Sequence, residues 1–198
     1  MELPIFPLNG AILFPGTNLP LNIFEKRYIE MINFSLSKDR CVGMIQTNDK
    51  KDLYNVGCIG KINSFNETSD GRYLISLQGL NCFKVIKEIE GNYEFRLVKA
   101  QILNNNKEND YVFTEYEKLN ILKKYKKYVE AKKINLDLSE IEKIDLDQLI
   151  KFIAMVSPFK SIEKQVLLES NNQKDFYYKL ESIIDLEIFD GIENKSIN

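Results

Sequence analysis

The hydrophobic period of the chain changes once, just beyond residue 103. Up to that point apolar residues come in short β-branched or aromatic runs punctuated by Gly and Pro, the pattern of strands. Leu3-Pro4-Ile5-Phe6-Pro7-Leu8 reads as an extended segment whose prolines suit a strand edge or a strand end. Pro15-Gly16 is the strongest turn signal of the region, because Pro fixes φ and Gly accepts a positive φ. Residues 23–36 are the exception. Phe24, Tyr28, Met31 and Ile32 recur at i, i+4, i+7 and i+8, which predicts one helix with Phe24 and Tyr28 on its core side. Residues 41–46 and 56–65 read as strands. Asp70-Gly71 predicts a hairpin turn with 72–77 as the return strand. Residues 83–89 and 93–102 predict a second hairpin around Glu90-Gly91-Asn92, since Tyr93, Phe95 and Leu97 alternate with Glu94 and Arg96. Short hairpins in series predict a small twisted barrel or sandwich.

Residues 104–110 (NNNKEND) have no apolar side chain and read as a linker. The period beyond them is helical. Tyr116, Leu119, Leu122, Tyr125 and Val129 form a first stripe. Leu146, Leu149, Ile150 and Ile153 form a second, which ends before Pro158. Ile162, Val166 and Leu167 form a third, and Phe176, Leu180, Ile183 and Ile184 a fourth. Four helices with short connections predict a compact bundle docked on the β part. The expected class is therefore α+β, divided as 1–103 for the β part, 104–110 for the linker, 111–190 for the helices and 191–198 for a flexible tail.

Composition narrows the function. The 198 residues are 44% hydrophobic and 28% charged, the balance of a soluble globular protein. A net charge of -2 gives no bulk field toward nucleic acid or anionic lipid. The start, MELPIFPLNG, has no basic n-region, and no apolar run approaches the roughly 20 residues of a membrane span. The expected location is the cytoplasm. Cys41, Cys58 and Cys82 form no CxxC pair and read as reduced thiols. The chain has no histidine, which excludes His-ligated zinc, Ser-His-Asp triads and Cys-His dyads. No metal or cofactor is expected.

Several short motifs resemble one family. Leu3-Pro4-Ile5-Phe6-Pro7-Leu8, Leu13-Phe14-Pro15-Gly16 and the run from Leu19 through Pro20, Leu21, Asn22, Ile23, Phe24, Glu25, Lys26 and Arg27 to Tyr28 come first. Gly57-Cys58-Ile59-Gly60, Asp70-Gly71-Arg72-Tyr73, Leu77-Gln78-Gly79 and Lys164-Gln165-Val166-Leu167-Leu168-Glu169 follow in order. Together they resemble the N-terminal substrate-binding domain of the ATP-dependent protease Lon, over roughly residues 1–188. The resemblance implies a pseudouridine-synthase-and-archaeosine-transglycosylase-like (PUA-like) barrel with one helix, followed by a helical bundle. It also implies recognition of polypeptides rather than their cleavage. Stand-alone relatives often carry His where this chain has Asn22, so an imidazole role does not carry over. The ATPase and Ser-Lys protease modules of Lon do not fit into this length. Gly60-Lys61, the one Gly-Lys pair, is followed by Ile62 and lacks the upstream Gly of a phosphate-binding loop. The chain therefore looks like a free-standing, non-catalytic Lon N-domain protein.

Candidate chemistry is sparse. Residues 12–31 read first as a packed corner, with Pro15-Gly16 turning the chain, Glu25 in the first turn of the helix, and Arg27 pairing with a carboxylate across the barrel. The alternatives are a ligand clamp using Asn22, Glu25 and Arg27 and, least supported because no nucleophile or base accompanies it, a catalytic loop. Asn22, Glu25, Arg27 and Arg72 are the expected peptide-binding residues. Expected partners are unfolded or extended polypeptide segments, with a protease or chaperone as a second class. The lysine-rich run at 118–133 and the PUA-like fold raise an RNA-binding alternative. Its lysines alternate with the apolar stripe, as on a solvated helix face, and Asp137, Glu140, Glu142, Asp145 and Asp147 follow closely. The acid pairs Glu140/Glu142 and Asp145/Asp147 do not share a helix face, so they read as solvated or capping groups. Cys58 reads as a small core residue.

Overall fold

A computed structural model of the chain describes residues 1–48, 50–103, 111–136 and 141–196, with side chains as far as 189. The fold is α+β. Strands β1 (Glu2–Leu8), β2 (Asn18–Ile23), β3 (Cys41–Gln46), β4 (Val56–Glu67), β5 (Tyr73–Ile89) and β6 (Arg96–Ile102) share one mixed sheet. Helix α1 (Lys26–Leu36) follows β2. After β6 come α2 (Glu115–Ala131), a 3-10 turn (Ile141–Lys143), α3 (Leu146–Val156), α4 (Ser161–Leu168) and α5 (Gln173–Ser196). Two compact units result: Met1–Asn105 with Pro158–Glu169, and Asn106–Ser157 with Ser170–Asn198. The strand-built unit thus includes α4, which the sequence reading grouped with the bundle. The expected linker at 104–110 lies outside the described residues. Helix α5 runs as far as Ser196.

The strand order is β2-β5-β4-β3-β1-β6, and β5 also pairs with β6. Only β1 and β3 run parallel. The pairing returns on itself because β5, besides pairing with β4, is long enough to serve two further partners in succession. Its residues 73–78 pair with β2 and its residues 83–89 with β6. The sequence predicts separate strands at 72–77 and 83–89, but β5 runs unbroken through the residues between them. A Cβ at Gly79 would lie 2.1 Å from the Phe14 carbonyl oxygen, so this glycine admits a close backbone approach and the strand runs on.

The prolines of β1 sit where the strand has one neighbour at a time. Residues 2–5 pair with β6, and residues 5–8 pair with β3. Pro4 and Pro7 each sit in a half of the strand that has one ladder partner, so a missing N–H is tolerated. Leu3, Ile5, Ile45, Ile59, Phe83 and Val98 pack as a buried cluster between these strands. Each such side chain contributes roughly 1.5–3 kcal/mol.

In the second unit, α3 buries Leu146, Leu149, Ile150 and Ile153, and α5 buries Phe176, Leu180, Ile183 and Ile184, as the stripes predict. The α2 stripe is rotated. Its inward side is Glu117, Ile121, Leu122, Tyr125, Tyr128 and Val129, whereas Tyr116 and Leu119 are exposed. The cap explains the rotation. Thr114 and Glu117 form a reciprocal capping box, and Tyr111 donates to the Glu117 carboxylate, which draws Glu117 inward. Among the described residues, no helix is long and apolar enough to cross a membrane.

Candidate functional site

The corner at residues 14–17 is a type II turn. Thr17 N–H donates to the Phe14 carbonyl at 3.1 Å, Pro15 holds the first central position, and Gly16 takes φ 81 at the second. The Thr17 hydroxyl donates to the same carbonyl at 2.8 Å. Gly16 N–H donates to the Gly79 carbonyl at 2.9 Å, and Gly79 N–H to the Thr17 carbonyl at 2.8 Å. These bonds dock the turn on β5 and launch β2 beside it.

Along β2 the burial alternates. Asn18, Pro20 and Asn22 are exposed, Leu19 and Leu21 half-buried, and Ile23 buried. Phe24 keeps the phase and is 66% exposed. This corrects the expectation of a helix from residue 23 with Phe24 inward. Glu25 is still extended, at φ -75 and ψ 133, and the helix starts at Lys26. Tyr28, Met31, Ile32 and Ser35 form its buried side. Tyr28 packs on Phe6 with ring centres 4.3 Å apart.

The four expected contact residues fall at one end of the β2–β5 ladder. Asn22 is opposite Leu74, and Leu74 is opposite Asn66 on β4. Ile23 is opposite Tyr73, which directly follows Arg72. Glu25 and Arg27 stand just beyond β2. Arg27 Nε donates to Glu25 Oε2 at 2.9 Å, and the guanidinium lies 4.5 Å from the Tyr28 ring centre. The partner of Arg27 is therefore two residues away, not across the barrel as expected, because the extended Glu25 leaves its carboxylate within reach. Arg72 Nε donates likewise to Asp70 at 2.8 Å. That bond, with a second from the Thr68 hydroxyl, brings the Asp70 carboxyl down to about 2. Both arginine side chains stay about half exposed. Phe24, Leu74 and Phe65 add exposed apolar surface at the same end. The sequence reading misses all three, although a period of two carried through 18–24 marks Phe24 as outward.

Lys164 and Gln165 act as anchors of α4 to the strands. Gln165 Nε2 donates to the Val56 carbonyl at 3.0 Å and its Oε1 accepts from Gln46 at 3.1 Å. Lys164 Nζ donates to the Gly10 carbonyl at 2.9 Å, and burial pushes its pKa down. The buried side of α4 is thus Lys164, Gln165, Leu167 and Leu168, while Ile162 and Val166, expected inward, are exposed. A cleft of about 370 Å³ beside the start of α4 is lined by Asn9, Tyr54, Phe159 and Ser161 among others. Within it Ser161 donates to Asn9, and the Lys160 N–H donates to Glu163 at 2.7 Å.

The remaining candidates have structural occupations. Cys58 faces Cys82 across β4 and β5, both buried, and burial first and Cys82 second push the Cys58 thiol well up, away from thiolate reactivity. Lys124 pairs with Glu181 at 3.0 Å and Asp185 at 2.5 Å, Lys126 with Glu142 at 2.6 Å, and Lys132 with Glu187 at 2.5 Å. Asp147 pairs with Lys151 at 2.9 Å. Asp137 and Glu140 lie outside the described residues. Among the described residues, no group of three or more acidic or cysteine side chains is arranged to hold a metal ion.

Comparisons with known proteins bear on this geometry. The profile of a family described as the ATP-dependent protease La (LON) substrate-binding domain matches residues 2–185. The Lon protease of Buchnera aphidicola subsp. Baizongia pistaciae is 24% identical over 199 residues, which cover 95% of this chain and 25% of that protein. The Lon protease of Halothermothrix orenii is 26% identical over 200 residues, again 95% and 25%. The chain spans about a quarter of the length of these curated relatives. A Lon N-terminal domain protein from Xanthomonas campestris superposes with a TM-score of 0.65 at 18% identity, covering 93% of this chain and 98% of that one. The N-terminal domain of a Mycobacterium avium complex Lon protease gives 0.64 at 14% identity, covering 94% and 98%. At these identities the structural likeness is one of fold. The family match takes in nearly all of the sequence, and the chain belongs to the LON substrate-binding domain family.

Proposed function

We propose that this chain recognises segments of other polypeptides and does not cut them. The observation that carries the reading is the family match over residues 2–185, whose description is substrate binding. The surface around Asn22, Glu25, Arg27 and Arg72 supports it. Exposed Phe24 and Leu74 offer apolar contact, and two arginines at the margin keep half of their surface toward solvent. Apolar anchors with a charged rim suit an unfolded or extended segment. A protease or a chaperone is the second class of partner. In this reading the closed set of strand pairings is a PUA-like barrel and the second unit a helical bundle.

The RNA-binding alternative is the weaker reading, because Lys124, Lys126 and Lys132 already neutralise acids of their own unit. The test is a double variant, Arg27→Ala with Arg72→Ala, titrated against a labelled casein peptide. A loss of about tenfold is expected, as for two rim charge contacts of about 0.7 kcal/mol each. Undiminished affinity refutes the placement of the surface.

A further inference from the structure

We infer that the open edge of β2 takes up an extended polypeptide as an added strand, so that the module reads main chain before side chains. This rests on the polypeptide-recognition reading above and names its contact. Strand β2 pairs with β5 on one side, and among the described residues no strand pairs with its other side.

One bond sets which backbone groups face outward. In an antiparallel ladder, hydrogen-bonded pairs alternate with non-hydrogen-bonded pairs. Gly79 N–H donates to the Thr17 carbonyl, so 17 and 79 stand in the bonded phase of the ladder. Leu19 with Leu77, Leu21 with Ile75, and Ile23 with Tyr73 follow in phase. Asn18, Pro20 and Asn22, opposite Gln78, Ser76 and Leu74, are then the non-bonded positions. Their backbone groups point to the open edge. Pro20 fits this phase, because β5 requires no donor from an outward position.

The edge therefore offers three carbonyls, at 18, 20 and 22, and two N–H groups, at 18 and 22. In-phase groups recur about every 6.8 Å, two residues at about 3.4 Å each. Another extended chain matches that spacing, which is the basis of strand addition. All three outward residues are exposed and none carries the charge that commonly guards an edge. Pro20 interrupts the donors, so a short segment registers on Asn22 and Asn18 while continuous sheet growth is blocked. Phe24 and Leu74, both exposed beside Asn22, receive an apolar side chain of that segment.

Two substitutions at one position separate main chain from side chain. Asn22→Pro removes the outward N–H in the phase that Pro20 already occupies, so the ladder to β5 persists. Asn22→Ala removes the side chain and keeps the N–H. Titrated against a labelled casein peptide, Asn22→Ala is expected to lose about threefold and Asn22→Pro about a further tenfold, the size of one lost hydrogen bond. Equal losses in the two variants overturn the edge pairing and leave polypeptide recognition standing. A wild-type chain that does not bind casein at all overturns both. Sedimentation of each protein asks whether a second copy holds the edge. A wild-type dimer that Asn22→Pro dissociates assigns β2 to self-association and overturns the inference. If Asn22→Pro fails to fold, N-methylation of alternate peptide amides asks the same question. Weakening in one phase only is expected, and equal binding in both phases overturns the inference.

Discussion

Gln46 on β3 donates to Gln165 on α4 at 3.1 Å, across 119 positions of sequence. Both side chains are buried. Gln165 completes the arrangement by donating to the Val56 carbonyl at 3.0 Å, and Gln46 by donating to the Ser161 carbonyl at 3.1 Å. The Lys-Gln pair of the LON-like helix thereby holds α4 to the strands. Gln165→Leu takes an acceptor from the buried Gln46 amide and a donor from the part-buried Val56 carbonyl, and an unmade buried hydrogen bond costs about 1–3 kcal/mol. Chemical denaturation is expected to read a loss of that size. Unchanged stability contradicts the anchoring role.

Phe24 and Tyr28 are expected to part company under mutation. Phe24→Ser touches an exposed side chain, so stability stays within about 0.5 kcal/mol, while affinity for an unfolded peptide falls. Tyr28→Ala empties a buried aromatic site against Phe6 and costs about 3–5 kcal/mol. Thermal melts alongside peptide titrations check both halves. A Phe24→Ser protein that unfolds readily contradicts the extended backbone at Glu25.

Gly79→Ala forces a Cβ to within 2.1 Å of the Phe14 carbonyl oxygen. Backbone cannot yield as a flexible side chain does, so a loss of about 1–3 kcal/mol or more is expected. Gly71, by contrast, has open space around its Cβ position but a φ of 80, so Gly71→Ala strains the turn without a clash. Melting both variants separates crowding from backbone strain.

The Asp70–Arg72 pair makes a pH prediction. A carboxyl brought down to about 2 in the folded chain, against an ordinary value of about 3.9, stabilises the turn above the ordinary value. That contribution fades as pH falls through about 4 and is gone below about 2. Carbon-detected NMR titration is expected to place Asp70 near the lower figure, and Arg72→Ala to return it toward the ordinary range. A titration of Asp70 that ignores Arg72→Ala contradicts the bond.

Much of this was legible from residue order alone, and the failures share a cause. Periodicity found α3 and α5 because their buried stripes are apolar throughout, as with Leu146, Leu149, Ile150 and Ile153. It missed the face of α4 because the inward residues include Lys164 and Gln165, which a hydrophobic pattern counts as solvent-facing. It misplaced the stripe of α2 because a carboxylate, Glu117, is drawn inward by Tyr111 and Thr114. At the candidate site, Asn22 and Arg72 were identifiable from motif resemblance. Their proximity required the β2–β5 register, which depends on the turn at Pro15-Gly16 docking against Gly79.

We propose that this chain binds polypeptide rather than nucleic acid. Fluorescence anisotropy tests it most directly. The chain is titrated against a labelled unfolded polypeptide and against a labelled single-stranded RNA, each at about 50 and 200 mM salt, the range over which phosphate-driven binding collapses. Saturable polypeptide binding that changes little with salt, with weak or no RNA binding, is the expected result. RNA binding that falls steeply with salt, in a chain that ignores the polypeptide, contradicts the account.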